Sequence, residues 1–331
     1  MTFNDIIGQE QIIGHMRSAI REGKLSHAYI IAGEKGCGKK MLANTFAMAI
    51  QCEEGGTEPC GLCRSCKQAL SGNNPDIRYV THEKPNVISV DEIRTQLNSD
   101  IAIKPYAREK KIYIIDEAEK MNVQAQNAML KTIEEPPEYA VIMILVTNPG
   151  ILLQTILSRC ILLNVRAVNK EKIVNFLTEK HGTSEYMAEL AAVFSEGNVG
   201  KAINFATSDE FSTLKKEVLG ELKKFDSMRA DELYRTAKEW ADDKVNLQER
   251  LLLAEMWYRD VFVVKSTDKT DNTYFRDEDR ELYRQAMLFG FEELSAKLDA
   301  VSLFKERMRF NVNAESALMV MMLAFRDNAQ A

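Results

Sequence analysis

The chain has 331 residues, 45% of them hydrophobic and 28% charged, and a formal net charge of −6. Such a composition describes a folded globular protein of two or three domains, because one core rarely serves much more than about 150 residues. The acidic balance argues against a broad phosphate-binding surface, which needs many Lys and Arg. The longest apolar runs, such as Val141–Thr147, are strand-length and well short of a membrane span, and Met1–Asp5 opens no signal-peptide pattern. A cytoplasmic location without membrane contact is expected.

An amphipathic helix is expected within Gly8–Lys24, where Ile12, Ile13, Met16 and Ile20 recur at helical spacing. A short apolar strand, His27–Ala32, runs into a glycine-rich turn, Gly33–Gly38, and a helix over Lys39–Gln51. Further strands are expected at Ile77–Val80, Lys111–Ile115, Ala140–Val146 and Cys160–Val165. Between them lie a helix from about Asp91 and another over Ala118–Glu134, stopped by Pro136 and Pro137. Alternating strands and helices imply a parallel sheet with helices on both faces, an α/β domain over 1–166. Strand signals then end. Three short helices (Glu171–Lys180, Ser184–Ser195, Lys201–Ala206) suggest a small domain over 167–208. Six longer ones suggest a helical domain over 209–331: Leu214–Phe225, Ala230–Ala241, Leu247–Val264, Glu278–Phe289, Phe291–Phe304 and Ala314–Phe325. Ser266–Asn272 is expected as a flexible loop between them.

The turn Gly33-Glu-Lys-Gly36-Cys-Gly38-Lys39-Lys40 matches a P-loop except at its last position. In such a loop the glycines turn backbone N–H groups toward phosphates, and Lys39 would reach the outer two. The final Ser or Thr hydroxyl normally binds Mg²⁺; Lys40 cannot, and its ammonium repels the metal. A bare strand-to-helix turn without ligand is the alternative reading, and occupancy by ATP or ADP stays open. Lys111–Ile115 followed by Asp116-Glu117 has the form of the matching acidic strand, with Asp116 facing Mg²⁺ and Glu117 facing the attacking water. Thr147 and Asn148 close the next strand at the place of a γ-phosphate sensor, or make an ordinary strand-end turn.

Cys52, Cys60, Cys63 and Cys66 supply four thiolates within fifteen residues, enough for a closed tetrahedral zinc site with a structural role. The alternatives are a redox pair or unrelated buried thiols.

Together, Phe3–Glu10, Leu25–Ile30, the four cysteines, Ala128-Met-Leu-Lys-Thr-Ile-Glu-Glu-Pro-Pro137 and Ser158-Arg159-Cys160 resemble bacterial DNA polymerase III clamp-loader AAA+ subunits. Asn311–Leu318 resembles the last helix of that family, so the likeness runs the length of the chain. The resemblance implies an AAA+ module carrying a zinc insertion at about 52–66, a helical lid and a helical collar that oligomerises. It also implies a pentameric assembly with gamma or tau and delta subunits that opens a sliding clamp and closes it on primed DNA. Within the family, Lys40 and Gly200, the latter at a position where motor subunits carry an arginine, resemble the stator that does not hydrolyse ATP. Arg159 in its Ser-Arg-Cys setting resembles an arginine finger that acts in trans on a neighbour's ATP. Two rival readings remain at this stage: an active ATPase, and a zinc-dependent nucleic-acid-binding module.

Overall fold

The computed structural model describes residues 1–308, 310 and 312–326. Asn311, which heads the segment likened to the family's last helix, lies outside the described residues, as do residues 327–331 of the expected collar. By its contacts the chain divides into two compact units, Met1–Ala206 and Thr207–Ala331.

In the first unit, β1 (Ala28–Ala32), β2 (Ile77–Val80), β3 (Lys111–Ile115), β4 (Ala140–Val146) and β5 (Ile161–Asn164) form one sheet. Its order is β2-β3-β4-β1-β5, and every pairing is parallel. Its helices are α1 (Glu10–Arg21), α2 (Lys39–Gln51), α3 (Arg64–Leu70), α4 (Val90–Ile93), α5 (Val123–Glu134), α6 (Gln154–Leu157), α7 (Lys170–His181), α8 (Glu185–Phe194) and α9 (Val199–Thr207).

Central parallel strands are covered on both faces, so β1 and β4 read as unbroken apolar runs, β3 does so after its opening Lys111, and every residue of each is buried. Alternate side chains then enter opposite cores. Tyr29, Ile31, Ile114, Met143 and Leu145 meet Met16, Leu42 and Phe46 on one face. Ile30, Ile115, Ile142 and Ile144 meet Ala125, Met129 and Ile133 on the other. Burying each such side chain contributes about 1.5–3 kcal/mol. This alternation fixes the register and brings the carboxyl ends of β1, β3 and β4 to one edge, where open α/β sheets hold their ligands.

The helix expected over Ala118–Glu134 is interrupted. Ala118–Lys120 is a single 3-10 turn, and Asn122 then caps a new helix by accepting the Ala125 N–H at 2.8 Å. A short polar side chain at the N-cap is worth about 1 kcal/mol, which is why the apolar periodicity alone misplaces this start.

The segment expected as a separate small domain falls almost wholly in the first unit. α7 and α8 pack against each other, and the start of α9 comes down on the glycine-rich turn through Asn198, just before the helix, and Gly200, within it.

The second unit is helical: α10 (Asp209–Leu222), α11 (Ala230–Asp242), α12 (Leu247–Thr267), α13 (Asp279–Leu288), α14 (Phe291–Met308) and α15 (Ala314–Arg326). α12 buries Leu251, Leu253, Trp257, Tyr258 and Val261 around much of its circumference. It runs to Thr267, past the expected end at Val264. The loop after it is tied back by Asp260, a fully buried carboxylate that accepts the N–H groups of Tyr274 (2.6 Å) and Phe275 (2.9 Å).

Candidate functional site

Between β1 and α2 the chain turns through Gly36 and Gly38 at φ +88° and +95°, a region that side chains resist. The turn sets the N-terminus of α2 beside a cavity of about 290 Å³ lined in part by Gly36, Gly38, Lys39, Lys40, Asp116, Glu117 and Thr147. Gly36, Gly38, both lysines and both acids thus gather at one edge of the sheet. Asn148 is exposed, and its Oδ1 accepts the Gly150 N–H at 2.9 Å in a local turn; Thr147 is the residue of that pair that lines the cavity.

Several charged groups of the cavity are engaged with the chain itself. Lys39 Nζ folds back to donate to the carbonyls of Gly33 (2.6 Å) and Glu34 (2.9 Å). Lys40 Nζ lies 3.2 Å from Asp116 Oδ2. The cation facing the Asp116 carboxylate is thus an ammonium on the neighbouring helix. A Mg²⁺ ion coordinated or bridged through water by that same oxygen would have to displace it, and Mg²⁺ demands near-ideal octahedral geometry.

Glu117 has a left-handed backbone, φ +51°, and its Oε2 accepts from Lys120 Nζ at 2.5 Å, with His82 Nε2 at 3.6 Å. The hydrogen bond from Lys120 holds the carboxyl below its ordinary range against the opposing pull of partial burial, and the charges of Lys120 and His82 add to it. A carboxylate so engaged is a weak base for water. The lysine three residues on was a signal available in the sequence; His82, brought in after β2, was not.

The first turn of α9 and the residue before it close over the loop. Asn198 Nδ2 donates to the Lys35 carbonyl at 2.9 Å and the Gly200 N–H to the Gly36 carbonyl at 3.0 Å. A Cβ on Gly200 would sit 2.5 Å from that carbonyl oxygen. At Gly200, therefore, backbone packs directly on the backbone of Gly36.

The four cysteines converge. Cys52 ends α2, Cys63 caps α3, and Cys66 lies one turn into it. Their sulfurs all lie within 4.8 Å of one another, and Cys60 Sγ is 4.0 Å from Cys66 Sγ. That is far outside the ~2.05 Å of a disulfide. It is close to the ~3.8 Å edge of a tetrahedron with metal–sulfur bonds of about 2.3 Å. Backbone N–H groups of Cys63 and Leu62 approach Cys60 Sγ at 3.3 and 3.4 Å and draw its pKa down to about 7, whereas burial pushes Cys66 up. Donors turned toward sulfur stabilise thiolate, as a metal site requires. The donor set fits a metal ion with no open position. The short helix α3, absent from the expected elements, is what aims two of the four sulfurs.

Arg159 sits on the surface just after α6, its side chain 39% exposed. Nη2 lies 3.0 Å from Glu134 Oε1 and Nη1 donates to the Thr155 carbonyl at 3.0 Å.

The model of the family described as DNA polymerase III, delta subunit matches residues 8–169. DNA polymerase III subunit delta' of Bacillus subtilis is 29% identical over 323 residues, 96% of each chain. DNA polymerase III subunit tau of the same organism is 34% identical over 208 residues, which is 61% of this chain and 36% of the tau chain. Among solved structures, a gamma-subunit-related protein of Thermotoga maritima is similar over 96% of this chain and 99% of its own, at 20% identity and a TM-score of 0.47. No helix among the described residues is long and apolar enough to cross a membrane.

Lys40→Thr is expected to release Asp116 and make nucleotide binding dependent on Mg²⁺. Titration calorimetry with ADP, with and without the metal, reads this directly. No metal dependence in the variant would mean that the folded-back Lys39 and the Gly200 contact are what close the site.

Proposed function

We propose that this chain, which is similar along its length to subunit delta' of bacterial DNA polymerase III, is an AAA+ clamp-loader protein that serves as the stator of the loader. In this reading it acts in DNA replication beside gamma or tau motor subunits and a delta subunit, in a complex that places the sliding clamp on primed DNA. It contributes a fixed AAA+ wall, not ATP turnover of its own. The observation that favours this most is the Lys40–Asp116 pair, 3.2 Å apart where a motor subunit would hold magnesium. The engagement of Glu117 by Lys120 and the packing of Gly200 on Gly36 point the same way.

The surface guanidinium of Arg159, 39% exposed, is the group read as working outside the chain. Projected into a neighbour's ATP site, it would stabilise charge on the transferring phosphoryl group, an effect worth about 10³–10⁵ in rate in well-studied NTPases. The cysteine cluster is read as a structural zinc site, since four thiolates at tetrahedral separation leave no position for substrate. The 167–208 segment is read as the AAA+ lid and the helical unit as the collar.

ATP hydrolysis measured on the purified chain, alone and mixed with motor subunit, delta, clamp and primed DNA, tests the reading. The expected result is no turnover alone and stimulated turnover in the mixture, lowered by Arg159→Ala. The total falls by less than the effect at one site, because other motor sites keep their own arginines. Robust turnover by the isolated chain would overturn the stator role; a mixture indifferent to Arg159→Ala would remove the trans role.

A further inference from the structure

An arginine finger must cross an interface with its guanidinium already aimed, yet a surface arginine samples many rotamers, and fixing one such side chain costs about 0.5–1.5 kcal/mol. Here the side chain is not loose. Two elements hold it at its two terminal nitrogens. The Thr155 carbonyl of α6 takes Nη1, and the Glu134 carboxylate of α5 takes Nη2.

The position of Glu134 is itself fixed. It is the last residue of α5, and Pro136 and Pro137 prevent the helix from continuing. α5 is anchored beneath by Met129 and Ile133, both essentially buried, and α6 packs against it. The carboxylate is therefore presented by a packed helix, and the arginine by the short turn between α6 and β5, whose Arg159 N–H donates to the Ile156 carbonyl of α6 at 3.1 Å.

We propose that Glu134 is a positioning residue for Arg159, presetting the guanidinium for the neighbour's phosphoryl group. This rests on the trans role given to Arg159 above. With side chains 39% and 45% exposed, the pair adds little to folding; its consequence is the orientation of a group whose work lies elsewhere. A guanidinium has five N–H donors. The contacts with Glu134 and Thr155 draw on the two terminal nitrogens and leave N–H groups to meet phosphate oxygens.

The test uses the reconstituted loader with clamp and primed DNA, and reads the Arg159-dependent part of the ATPase rate, wild type minus Arg159→Ala. Glu134→Ala is expected to lower that part by about 3- to 10-fold in kcat, the size of holding one side chain in place, with KM for ATP unchanged. Glu134→Gln keeps an acceptor oxygen and is expected to retain most of it. In an Arg159→Ala background, Glu134→Ala should do nothing further.

If Arg159→Ala has no effect, it is the trans role that fails. If Arg159→Ala acts and Glu134→Ala does not, or raises the rate, the positioning role is wrong. A Glu134→Ala loss that persists without Arg159 marks a merely structural residue and equally overturns it.

Discussion

On the structural-zinc reading proposed above, chelating the metal held by Cys52, Cys60, Cys63 and Cys66 is expected to unfold the segment from about 52 to 72 while the sheet stays folded. The segment has little else to hold it. Glu53, Glu54, Gly55 and Gly56 are exposed, and Leu62, the large hydrophobic residue of the loop, is 77% exposed. Its small core consists of Met48 and the cysteines, with Ala69 packed against them. Structural zinc contributes about 10–16 kcal/mol in isolated zinc-finger peptides. Here the helices on either side are supported by other contacts, so the loss to the chain is smaller and local.

The consequence reaches beyond the loop, because Glu58 takes the Phe3 N–H at 3.2 Å and Arg17 Nε at 2.5 Å. Arg17 in turn lies 5.6 Å from the centre of the Phe3 ring. Amide exchange after chelation should therefore quicken first in 52–72 and next in residues 3–6, with β1, β3 and β4 unchanged. Cys63→Ser should reproduce the pattern without chelator. Unchanged protection in 52–72 once metal analysis shows the protein to be empty would mean that protein contacts alone hold the knuckle.

The parts of this molecule that were legible in the sequence are those where one residue type has one physical use. The apolar runs of β3 (after its opening Lys111) and β4 match those strands to the residue, because a strand buried on both faces admits little else. Gly36 and Gly38 answer to their positive φ, and the Cys-x2-Cys spacing to the turn that brings the sulfurs of Cys60 and Cys63 together. Less legible was anything set by a partner distant in the chain. His82 reaches Glu117 from 35 residues away, and Glu134 reaches Arg159 from 25, through packing that no local pattern encodes. Lys40 illustrates both sides. Its mismatch to the P-loop pattern was evident, but that its ammonium pairs with Asp116 follows only from β1 and β3 ending at the same edge of the sheet. The helix start at Val123 was missed because apolar periodicity continues across Met121 while the cap at Asn122 does not respect it.

Replacing Lys111 with Met is expected to cost the first unit about 3 kcal/mol near neutral pH, the lower end of what removing one partner from a buried ion pair does. Lys111 opens β3 and has no exposed surface. Its Nζ lies 2.7 Å from Asp100 Oδ2 and donates to the carbonyls of Asp100 (3.0 Å) and Ile103 (3.2 Å). Tyr113 Oη donates to the same carboxylate oxygen at 2.8 Å. The strand thereby fastens the turn at 100–103 to the sheet. Met keeps the length and apolar stem but leaves a carboxylate and two carbonyls without the ammonium. The lower end of the range applies because Asp100 retains 20% side-chain exposure, with Arg78 at 3.9 Å.

The pH dependence has a definite sign. Burial pulls the Asp100 carboxyl upward, but hydrogen bonds from Lys111 and Tyr113, with the charges of Lys111 and Arg78, outweigh it and leave the group below its ordinary 3.8. A folded pKa below the unfolded one gives stability that is present above about pH 4 and is lost as pH falls through the folded value. In Lys111→Met the balance tips back toward burial and the folded pKa rises. The deficit of the variant is then greatest near neutrality and shrinks in acid as Asp100 takes up a proton. Trp240 and Trp257 both lie in the second unit, so tryptophan fluorescence does not read this change. Amide exchange of Ile112–Ile115 and Val141–Val146 across pH 4–7 (about the window that matters) does. Lys111→Met with Asp100→Leu should recover much of the loss, since an apolar pair can replace a buried ionic one at little cost. Wild-type protection in Lys111→Met at neutral pH would mean that Tyr113 and Arg78 alone suffice to hold the carboxylate.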